Sequence, residues 1–350
     1  MNTFRRICSI ILGIVFLLSG ILKLMDPVGT GMIVESWLGF LHLSFLNFLS
    51  SVFAIALPLL EAAIGASLVS GAFKRVTAIL SISVLSLFTV LVLLLVIFKS
   101  EMECGCFGEA IHLSGWSTLI KNIVCIALWA VAFVPLSSAG KDPGKLKYVS
   151  FGAASAVLLA FCIYSNLFLP VVDFTPFKPG NELAEASDVA ANEVILPFYD
   201  SSWNYRDTLA LSGDVVIVSL PAPDRAGARR WERTAEFVKT VAENGLTPIV
   251  LTSADPDEIG EALDHGTIAD HLYFADYKTL YTLNRSNGGA TLVSDGEIIR
   301  KWPAISLPSS EELSDFISSA PVEYMAEHST GGVIALQTLI LLCAGLLLFF

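Results

Sequence analysis

The chain has 350 residues, of which 54% are hydrophobic and only 15% are charged. A soluble domain carries about 25% charged residues, so this composition excludes a single compact soluble enzyme. The apolar residues occur in runs of about twenty, the length that crosses a bilayer core of about 30 Å, and they predict an integral membrane protein.

The charges are segregated along the chain. Residues 172–330 hold 26 of the 33 acidic residues and 11 of the 21 basic ones, a net charge of −15, whereas the rest of the chain has a net charge of +3. A membrane part joined to an acidic water-soluble domain explains this asymmetry. Because nucleic acids and anionic lipids select basic surfaces, the acidic domain is not expected to bind nucleic acid.

Six apolar segments are long enough to span a membrane, and the first follows Arg5 and Arg6. No A-x-A-like cleavage site follows that segment, so we interpret it as a retained anchor rather than a cleaved signal peptide. The predicted spans are 7–25, 46–72, 76–98, 117–137, 147–170 and 331–350.

Basic residues in the short loops predict the orientation of the spans. Seven of them fall on one side, which should be cytoplasmic. They are Arg5, Arg6, Lys74, Arg75, Lys141, Lys145 and Lys147. The loops 26–45 and 99–116 and the domain 172–330 then face outward, and both termini lie inside. The expected location is the inner membrane, with the soluble domain in the periplasm or otherwise outside the cytoplasm.

The loop 26–45 contains Trp37 and Phe40 among Glu35 and His42. Tryptophan is favoured at the membrane interface, so this pattern predicts an amphipathic stretch at the outer surface. A plain connecting loop is the alternative.

Strands and helices alternate after a Pro- and Gly-containing linker at 172–193. The predicted strands are 215–218, 248–251, 272–274, 291–293 and 298–302, and Asp295-Gly296 joins the last two as a hairpin turn. The predicted helices are 226–243, one from Asp255-Pro256 to about 265, 277–285 and one that begins at Ser309 with N-terminal acids. This alternation predicts one α/β sheet domain.

The order of these elements resembles a thioredoxin fold. The stretch 289–297 is similar to the end of thioredoxins, where a proline precedes the strand and a glycine turn follows it. Two departures stand out: Pro221–Arg225 replaces the C-x-x-C motif without a cysteine, and Gly289 replaces the cis-proline. No residue between 163 and 342 is a cysteine. The resemblance therefore implies a thioredoxin-like domain that performs no thiol chemistry itself.

Polar residues follow the predicted strands where thioredoxin folds bind peptides. They include Asp276, Arg285, Asn287 and Lys301. A capped helix and a hairpin edge are the structural alternative to a peptide site.

A second resemblance covers the first 137 residues. It is carried mainly by the loop Cys104-Gly105-Cys106-Phe107-Gly108, with scattered matches in the helices: Arg6, Gly13, Phe16, Ser19, Gly20, Lys23, Asp26, Pro27, Pro58, Glu61 and Gly65. These residues resemble the DoxX/MauE membrane family, which includes a four-span methylamine-utilisation protein. The resemblance implies a part in maturing a disulfide-rich dehydrogenase subunit. It also implies a quinone as electron acceptor, for which the sequence has no cofactor motif.

Together these patterns predict a polytopic α-helical membrane bundle, in which a DoxX/MauE-like four-span unit is extended by two further spans and an inserted α/β thioredoxin-like domain. The predicted parts are the four-helix bundle at 1–137, a fifth span at 138–171, a linker at 172–193, an extracytoplasmic thioredoxin-like domain at 194–330 and a last span at 331–350.

Cys104 and Cys106 are the candidate catalytic residues. The other four cysteines lie in apolar spans, where cysteine acts as a small hydrophobe, but this pair lies with Glu101 and Glu103 in a polar loop on the predicted oxidising side. A disulfide between residues i and i+2 closes a strained ring, which suits an accessible disulfide donor or relay. The acids are expected to raise the thiol pKa. A static bridge, idle thiols and a metal site with His112 are the alternatives.

Glu61 lies near the middle of the second span, where a carboxylate is costly and marks a function or an ion pair. Lys23 is the obvious counter-ion, but the helical rise separates the two by about 10 Å along the membrane normal. A Lys23–Glu61 pair and a neutral, hydrogen-bonded Glu61 are therefore both open, with a slight preference for the neutral form.

The leading functional hypothesis is an envelope thiol–disulfide or electron-transfer accessory that acts on a protein client or a soluble redox partner. A non-enzymatic scaffold with a peptide-binding domain is the alternative, and a small-molecule or metal-handling protein that uses Glu61 is a third. The chain contains no P-loop, nucleophile elbow or zinc-protease motif. Whether the chain is an enzyme therefore depends on the cysteine pair.

Overall fold

The computed structural model describes residues 3–99, 102, 104–136, 144–185, 193–225, 227–254 and 266–349. Glu101, Glu103, Lys141 and the helix predicted from Asp255 to about 265 lie outside the described residues. The chain divides into two compact units, which are Met1–Asn166 with Gly332–Phe350, and Leu167–Gly331.

The first unit is a helical bundle. Its elements are α1 (Thr3–Met25), α2 (Pro27–Phe40), a 3-10 helix (Ser44–Leu49) that leads into α3 (Ser50–Ser70), α4 (Lys74–Ile97), strand β1 (Cys106–Glu109), α5 (Gly115–Phe133), α6 (Lys145–Leu167) and the C-terminal helix (Gly331–Leu347). In the described part of the chain, six helices are long and apolar enough to span a membrane. The predicted multi-pass membrane chain is confirmed.

Helices α1 and α3 pack at backbone contact because glycines lie between them. A Cβ on Gly20 would lie 2.7 Å from both the carbonyl oxygen of Pro58 and the nitrogen of Ala62, and a Cβ on Gly65 would lie 2.5 Å from the nitrogen of Leu17. Small residues permit such close approach between membrane helices, where van der Waals packing drives association. This approach brings side chains of α1 within reach of the middle of α3.

Basic side chains gather at one end of the bundle. Arg5 donates to three carbonyl oxygens at the end of α5, Arg6 donates to two near the end of α3, and Lys147 donates to one just after the C-terminal helix. The turn after α3 reaches the start of α6, where the rings of Phe73 and Tyr148 lie 4.9 Å apart. Last-turn carbonyls lack helical partners, and cations stabilise them.

The segment after the first span forms α2 and is not a plain loop. Asp26 caps this helix by accepting a hydrogen bond from the backbone nitrogen of Gly29 at 2.8 Å, and Pro27 occupies its first turn, where no backbone N–H is needed. Leu38 is buried in the bundle. The helix therefore lies beside α3 and forms part of the bundle.

The second unit is built on a seven-stranded sheet in the order β3-β2-β8-β7-β4-β5-β6 among the described residues. The strands are β2 (Glu182–Leu183), β3 (Glu193–Val194), β4 (Asp214–Leu220), β5 (Thr247–Thr252), β6 (Leu272–Phe274), β7 (Gly289–Ser294) and β8 (Glu297–Trp302). The helices are α7 (Gly227–Glu243), α8 (Gly266–Ala269), α9 (Tyr277–Leu283), α10 (Ser310–Ser318) and α11 (Pro321–Glu327).

The pairing around β4 confirms the predicted α/β domain with thioredoxin-like order. Strand β4 is parallel to β5 and antiparallel to β7, with Val215 opposite Val293. Alternate residues of β4 enter two different cores, since Val216 and Val215 belong to separate buried clusters. A strand that is buried on both faces explains the unbroken apolar run in its sequence.

The sheet also includes part of the stretch predicted as a linker. Glu182 lies opposite Glu297 of β8, and β2 pairs in parallel with β3. Near the start of the same stretch, Asp173 accepts a hydrogen bond from Lys301 at 2.6 Å. Two-residue strands are too short to show a period of two, so the sequence pattern did not reveal them.

Candidate functional site

The loop between α4 and α5 holds Cys104 and Cys106 on either side of a glycine with positive φ. Gly105 has φ +65°, and a Cβ there would lie 2.5 Å from Ile33 of α2. Only glycine combines this backbone conformation with such a close neighbour. The indole nitrogen of Trp37, also on α2, donates to the carbonyl oxygen of Cys104 at 3.3 Å.

Both cysteines are buried, which corrects the expectation of an accessible pair. Each is 9% exposed and packs with Val92 and Leu95 of α4. Partly buried side chains surround this cluster: Trp37, Phe40, Met102, Phe107 and Leu119. The helix α2 was not predicted to pack on the loop, and its aromatic side chains account for the burial.

The two thiols differ in acidity. A hydrogen bond from Cys104 lowers the pKa of Cys106 to about 6, with help from the positive charges of Lys121 and Lys23 and against the effects of burial and of Glu61. The same hydrogen bond raises the pKa of Cys104. The expected rise is therefore wrong for Cys106, whose pKa the Cys104 hydrogen bond and two cations lower, and Glu101 and Glu103 lie outside the described residues.

Lys23 and Glu61 are in direct contact in the bundle interior. Lys23 Nζ lies 2.7 Å from Glu61 Oε1 and 2.9 Å from Oε2, and the residues are 7% and 2% exposed. Lys23 Nζ also lies 5.2 Å from the centre of the Phe88 ring. The depth mismatch inferred from the sequence is therefore wrong, since lysine bends inward where α1 and α3 touch.

Ser19 joins this pair to the cysteine loop. Its Oγ lies 2.5 Å from Glu61 Oε2 and 2.7 Å from the carbonyl oxygen of Cys106. Sequence reasoning noted Ser19 only as part of the family resemblance. The signal that could have found it is spacing, since Ser19 and Lys23 are four residues apart and share a face of α1.

Lys121 of α5 is a second residue that sequence reasoning missed. Its Nζ lies 4.8 Å from the centre of the Phe107 ring, which follows Cys106 directly. An ammonium group over an aromatic face is held by the quadrupole of the ring. This contact keeps a positive charge beside the cysteine pair.

Among the described residues, no group of three or more His, Cys, Asp and Glu side chains is arranged to hold a metal ion. His112 is exposed. The surroundings of the two thiols are apolar and aromatic, with Trp37, Phe40 and Phe107 among the partly buried side chains.

In the second unit, an amide bridge holds the loop that replaces C-x-x-C. Asn287 Nδ2 donates to the carbonyl oxygen of Ala222 at 2.8 Å, and Ser253 Oγ donates to that of Pro221 at 2.7 Å. At the position of the cis-proline, a Cβ on Gly289 would lie 2.4 Å from Oδ1 of buried Asn284. The loop is therefore fixed by side-chain amides and hydroxyls.

The other polar residues near this loop have structural contacts. Asp276 caps α9 by accepting hydrogen bonds from the nitrogens of Lys278 and Thr279. Arg285 is buried and donates to the carbonyl oxygen of Tyr281. These contacts favour the capped-helix interpretation over a peptide site.

Comparison with known proteins gives a match to one curated protein and a match to one family model. A stretch of 100 residues is 31% identical to Protein TlpB of Flavobacterium psychrophilum, and it covers 29% of this chain and 26% of that protein. The match thus spans about a quarter of the length of that relative. No solved structure matches the chain. Residues 1–135, which contain both cysteines and the Lys23–Glu61 pair, match the family model of methylamine utilisation protein MauE, so the predicted resemblance of the membrane part is confirmed.

Proposed function

We propose that the chain is a membrane-bound thiol–disulfide exchange or electron-transfer accessory protein of the cell envelope. It assists disulfide formation or redox maturation of an extracytoplasmic client. The observation that carries this proposal is the unequal cysteine pair, in which Cys104 stabilises a thiolate at Cys106 beside Lys121 and Lys23. Similarity to MauE supports the proposal, and a part in methylamine utilisation is one form that it could take.

The exchange step follows from this inequality. A client thiolate attacks Cys106 of the oxidised pair and forms the mixed disulfide, while the Cys104–Cys106 bond breaks and Cys104 leaves and takes up a proton. The second client thiol, as its thiolate, then displaces Cys106, because the thiol with the lower pKa is the better leaving group. The client gains one disulfide, and the pair takes two electrons and two protons to become a dithiol.

Return of the pair to the disulfide needs a two-electron acceptor. Trp37 and Phe40 would hold a quinone beside the pair, where it would supply the acceptor for two electrons, with one proton from Cys104 and the second from water. For this step, Cys106 supplies the thiolate and Cys104 supplies the second thiol. The surrounding apolar side chains keep water away from the sulfur atoms.

The proposed location is the inner membrane, with the cysteine loop and the unit Leu167–Gly331 outside the cytoplasm. The gathering of Arg5, Arg6 and Lys147 at one end of the bundle supports this orientation. A reporter fused after Phe350 should behave as cytoplasmic, and one inserted at Asn181 as extracytoplasmic. The reverse pattern would place the cysteine loop on the reducing side and contradict the proposed chemistry.

Acid-quenched alkylation in cells tests the function. Cys104 and Cys106 should be recovered in both dithiol and disulfide forms, and brief treatment with a reductant should be followed by reoxidation. A pair that is permanently reduced or permanently oxidised would instead favour the scaffold function. The cysteine-free unit with its fixed Pro221–Ala222 loop is the feature that makes the scaffold the second candidate.

A further inference from the structure

The Ser19 hydroxyl has more acceptors than it has hydrogens. Glu61 Oε2 lies 2.5 Å from Ser19 Oγ, and the carbonyl oxygen of Cys106 lies 2.7 Å from it. A hydroxyl group has one hydrogen to donate and two lone pairs to accept with. An ionised carboxylate and a carbonyl group both only accept, so one hydrogen cannot serve both contacts.

A proton on Glu61 resolves this conflict. Protonated Oε2 donates to Ser19 Oγ, and Ser19 donates its own hydrogen to the Cys106 carbonyl oxygen. Lys23 remains a donor to the carboxyl group in either charge state, because a neutral amine still carries hydrogens. Two short contacts at a buried serine, which is 9% exposed, therefore indicate a proton held at the Glu61 side chain.

We propose that Ser19 is a positioning residue that couples the protonation of Glu61 to the main chain at Cys106, so that the buried Lys23–Glu61 pair holds a proton while Cys106 is a thiolate. Removal of the thiolate charge by disulfide formation or alkylation then releases that proton to water. The coupling is reciprocal. A negative charge at Cys106 stabilises the proton on Glu61, and the proton stabilises the thiolate by the same free energy. This inference rests on the proposed exchange at Cys106.

Other charged groups lie on α1, or on or beside the elements that pack against it. They are Lys23 on α1, Asp26 at the start of α2, Glu109 on β1, Lys121 on α5 and the thiols of Cys104 and Cys106. Of these residues, Lys23 contacts the Glu61 carboxyl group. Ser19 bridges that carboxyl group and the cysteine loop, which is why we assign the coupling to Ser19.

Infrared difference spectroscopy of the full-length protein in detergent tests the proposal, with N-ethylmaleimide as the thiol reagent. The wild-type protein should show a protonated-carboxyl band that decreases on alkylation, and Glu61→Gln should lack that band. Cys106→Ser defines the background from the other thiols. In the Ser19→Ala protein the protonated-carboxyl band should still be present, but its decrease on alkylation should be no larger than in Cys106→Ser. Ser19→Thr keeps the hydroxyl and should restore the response.

Ser9→Ala is the matched control, because Ser9 is a buried serine of α1 whose hydroxyl donates to Leu68. It should respond as the wild type does. The proposal is overturned if no protonated-carboxyl band depends on Glu61, or if Ser19→Ala responds like the wild type. If Ser19→Ala does not fold, the wild-type, Glu61→Gln and Ser19→Thr spectra still decide it. The assay contains no client, so a cysteine pair that fails to cycle in cells would contradict only the proposed function.

Discussion

The inequality of the two thiols comes from a hydrogen bond between neighbouring side chains. Cys104 donates to Cys106, so a negative charge on Cys106 is stabilised and one on Cys104 is not. Lys121 and Lys23 add positive charge, and burial opposes the thiolate. A site with this composition assigns the two sulfur atoms different roles, with Cys106 as the nucleophile or leaving group and Cys104 as its partner.

Substitution of Cys104 tests the origin of the low pKa. The thiolate fraction of Cys106 grows as the pH rises through its pKa of about 6, so its alkylation rate should have its midpoint near that pH. Cys104→Ser keeps a donor and should leave the midpoint low. Cys104→Ala removes the donor, and the midpoint should rise towards the ordinary value of 9.0. Rates of modification of the Cys106 peptide, followed by mass spectrometry, measure both. Equal midpoints in the two variants would contradict the account.

The Lys23–Glu61 contact is tested by a double-mutant cycle. Removing one partner of a buried hydrogen-bonded pair leaves the other group unsatisfied, which typically costs about 1–3 kcal/mol and more for a charged group. Lys23→Met and Glu61→Leu should each lower thermal stability in detergent, and the double variant should be no less stable than the worse single variant. Simple additivity would show that the two side chains do not interact.

The sequence indicated some of these residues and not others. Glu61 and the Cys104–Cys106 pair stand out because a carboxylate is costly in a span and a cysteine pair is unusual in a polar loop. Ser19 does not, since a serine in a span often bonds only to its own helix. The lowered pKa of Cys106 depends on the hydrogen bond from Cys104 and on Lys121 and Lys23, and these contacts form only in the folded bundle. No local pattern contains that information.

At the scale of elements, the contact between α1 and α3 positions the ion pair. Its closeness is set by glycines, and Pro58 lies inside α3 one turn before Glu61. For straight helices, the sequence positions of Lys23 and Glu61 suggested that the two side chains lie at different depths in the membrane. The structure removes this difference because a long lysine side chain at a close helix contact reaches across and along the partner helix.

Gly20→Ala tests this contact. Its Cβ would meet backbone atoms of Pro58 and Ala62 at 2.7 Å, which cannot move without shifting α3. Overpacking typically costs about 1–3 kcal/mol, so thermal stability in detergent should fall. Gly152→Ala in α6 is the matched control, because a Cβ there meets nothing within 4 Å. The control should be neutral or stabilising by up to about 1 kcal/mol. Equal changes in thermal stability at both positions would show that the close approach of α1 and α3 does not limit stability.

In the sheet unit, Asn287 has the bridging position. It holds Ala222 through two hydrogen bonds, and Arg230 donates to its carbonyl oxygen at 2.7 Å. Asn287→Ala leaves part-buried backbone groups of Ala222 without their partner, and a lost partner of this kind typically costs about 1–3 kcal/mol. Asn204→Ala, on an exposed turn, should change stability by less than that amount. Chemical denaturation followed by tryptophan fluorescence compares the two variants, and equal losses would contradict the bridging role.

At the scale of the whole molecule, the chain combines a membrane bundle that contains the reactive sulfur atoms with a cysteine-free sheet unit. The sequence predicted this division from apolar runs, charge segregation and the five central strands, since each of these signals extends over many residues. It missed β2 and β3, which are two residues long. It also missed the burial of the cysteine loop, because that burial depends on α2, which packs there through tertiary contacts.

The central claim is that Cys104 and Cys106 exchange disulfides with a client, with Cys106 as the sulfur that forms the mixed disulfide. The most direct measurement is capture of mixed disulfides in cells that express Cys104→Ser or Cys106→Ser, followed by non-reducing electrophoresis and mass spectrometry. Cys104→Ser should accumulate a reducible adduct joined through Cys106, because the Cys106 thiolate attacks the disulfide of an oxidised client in the reverse direction and Cys104 is absent to release it. Cys106→Ser should accumulate none. No adduct in either variant, or an adduct only in Cys106→Ser, would contradict the account.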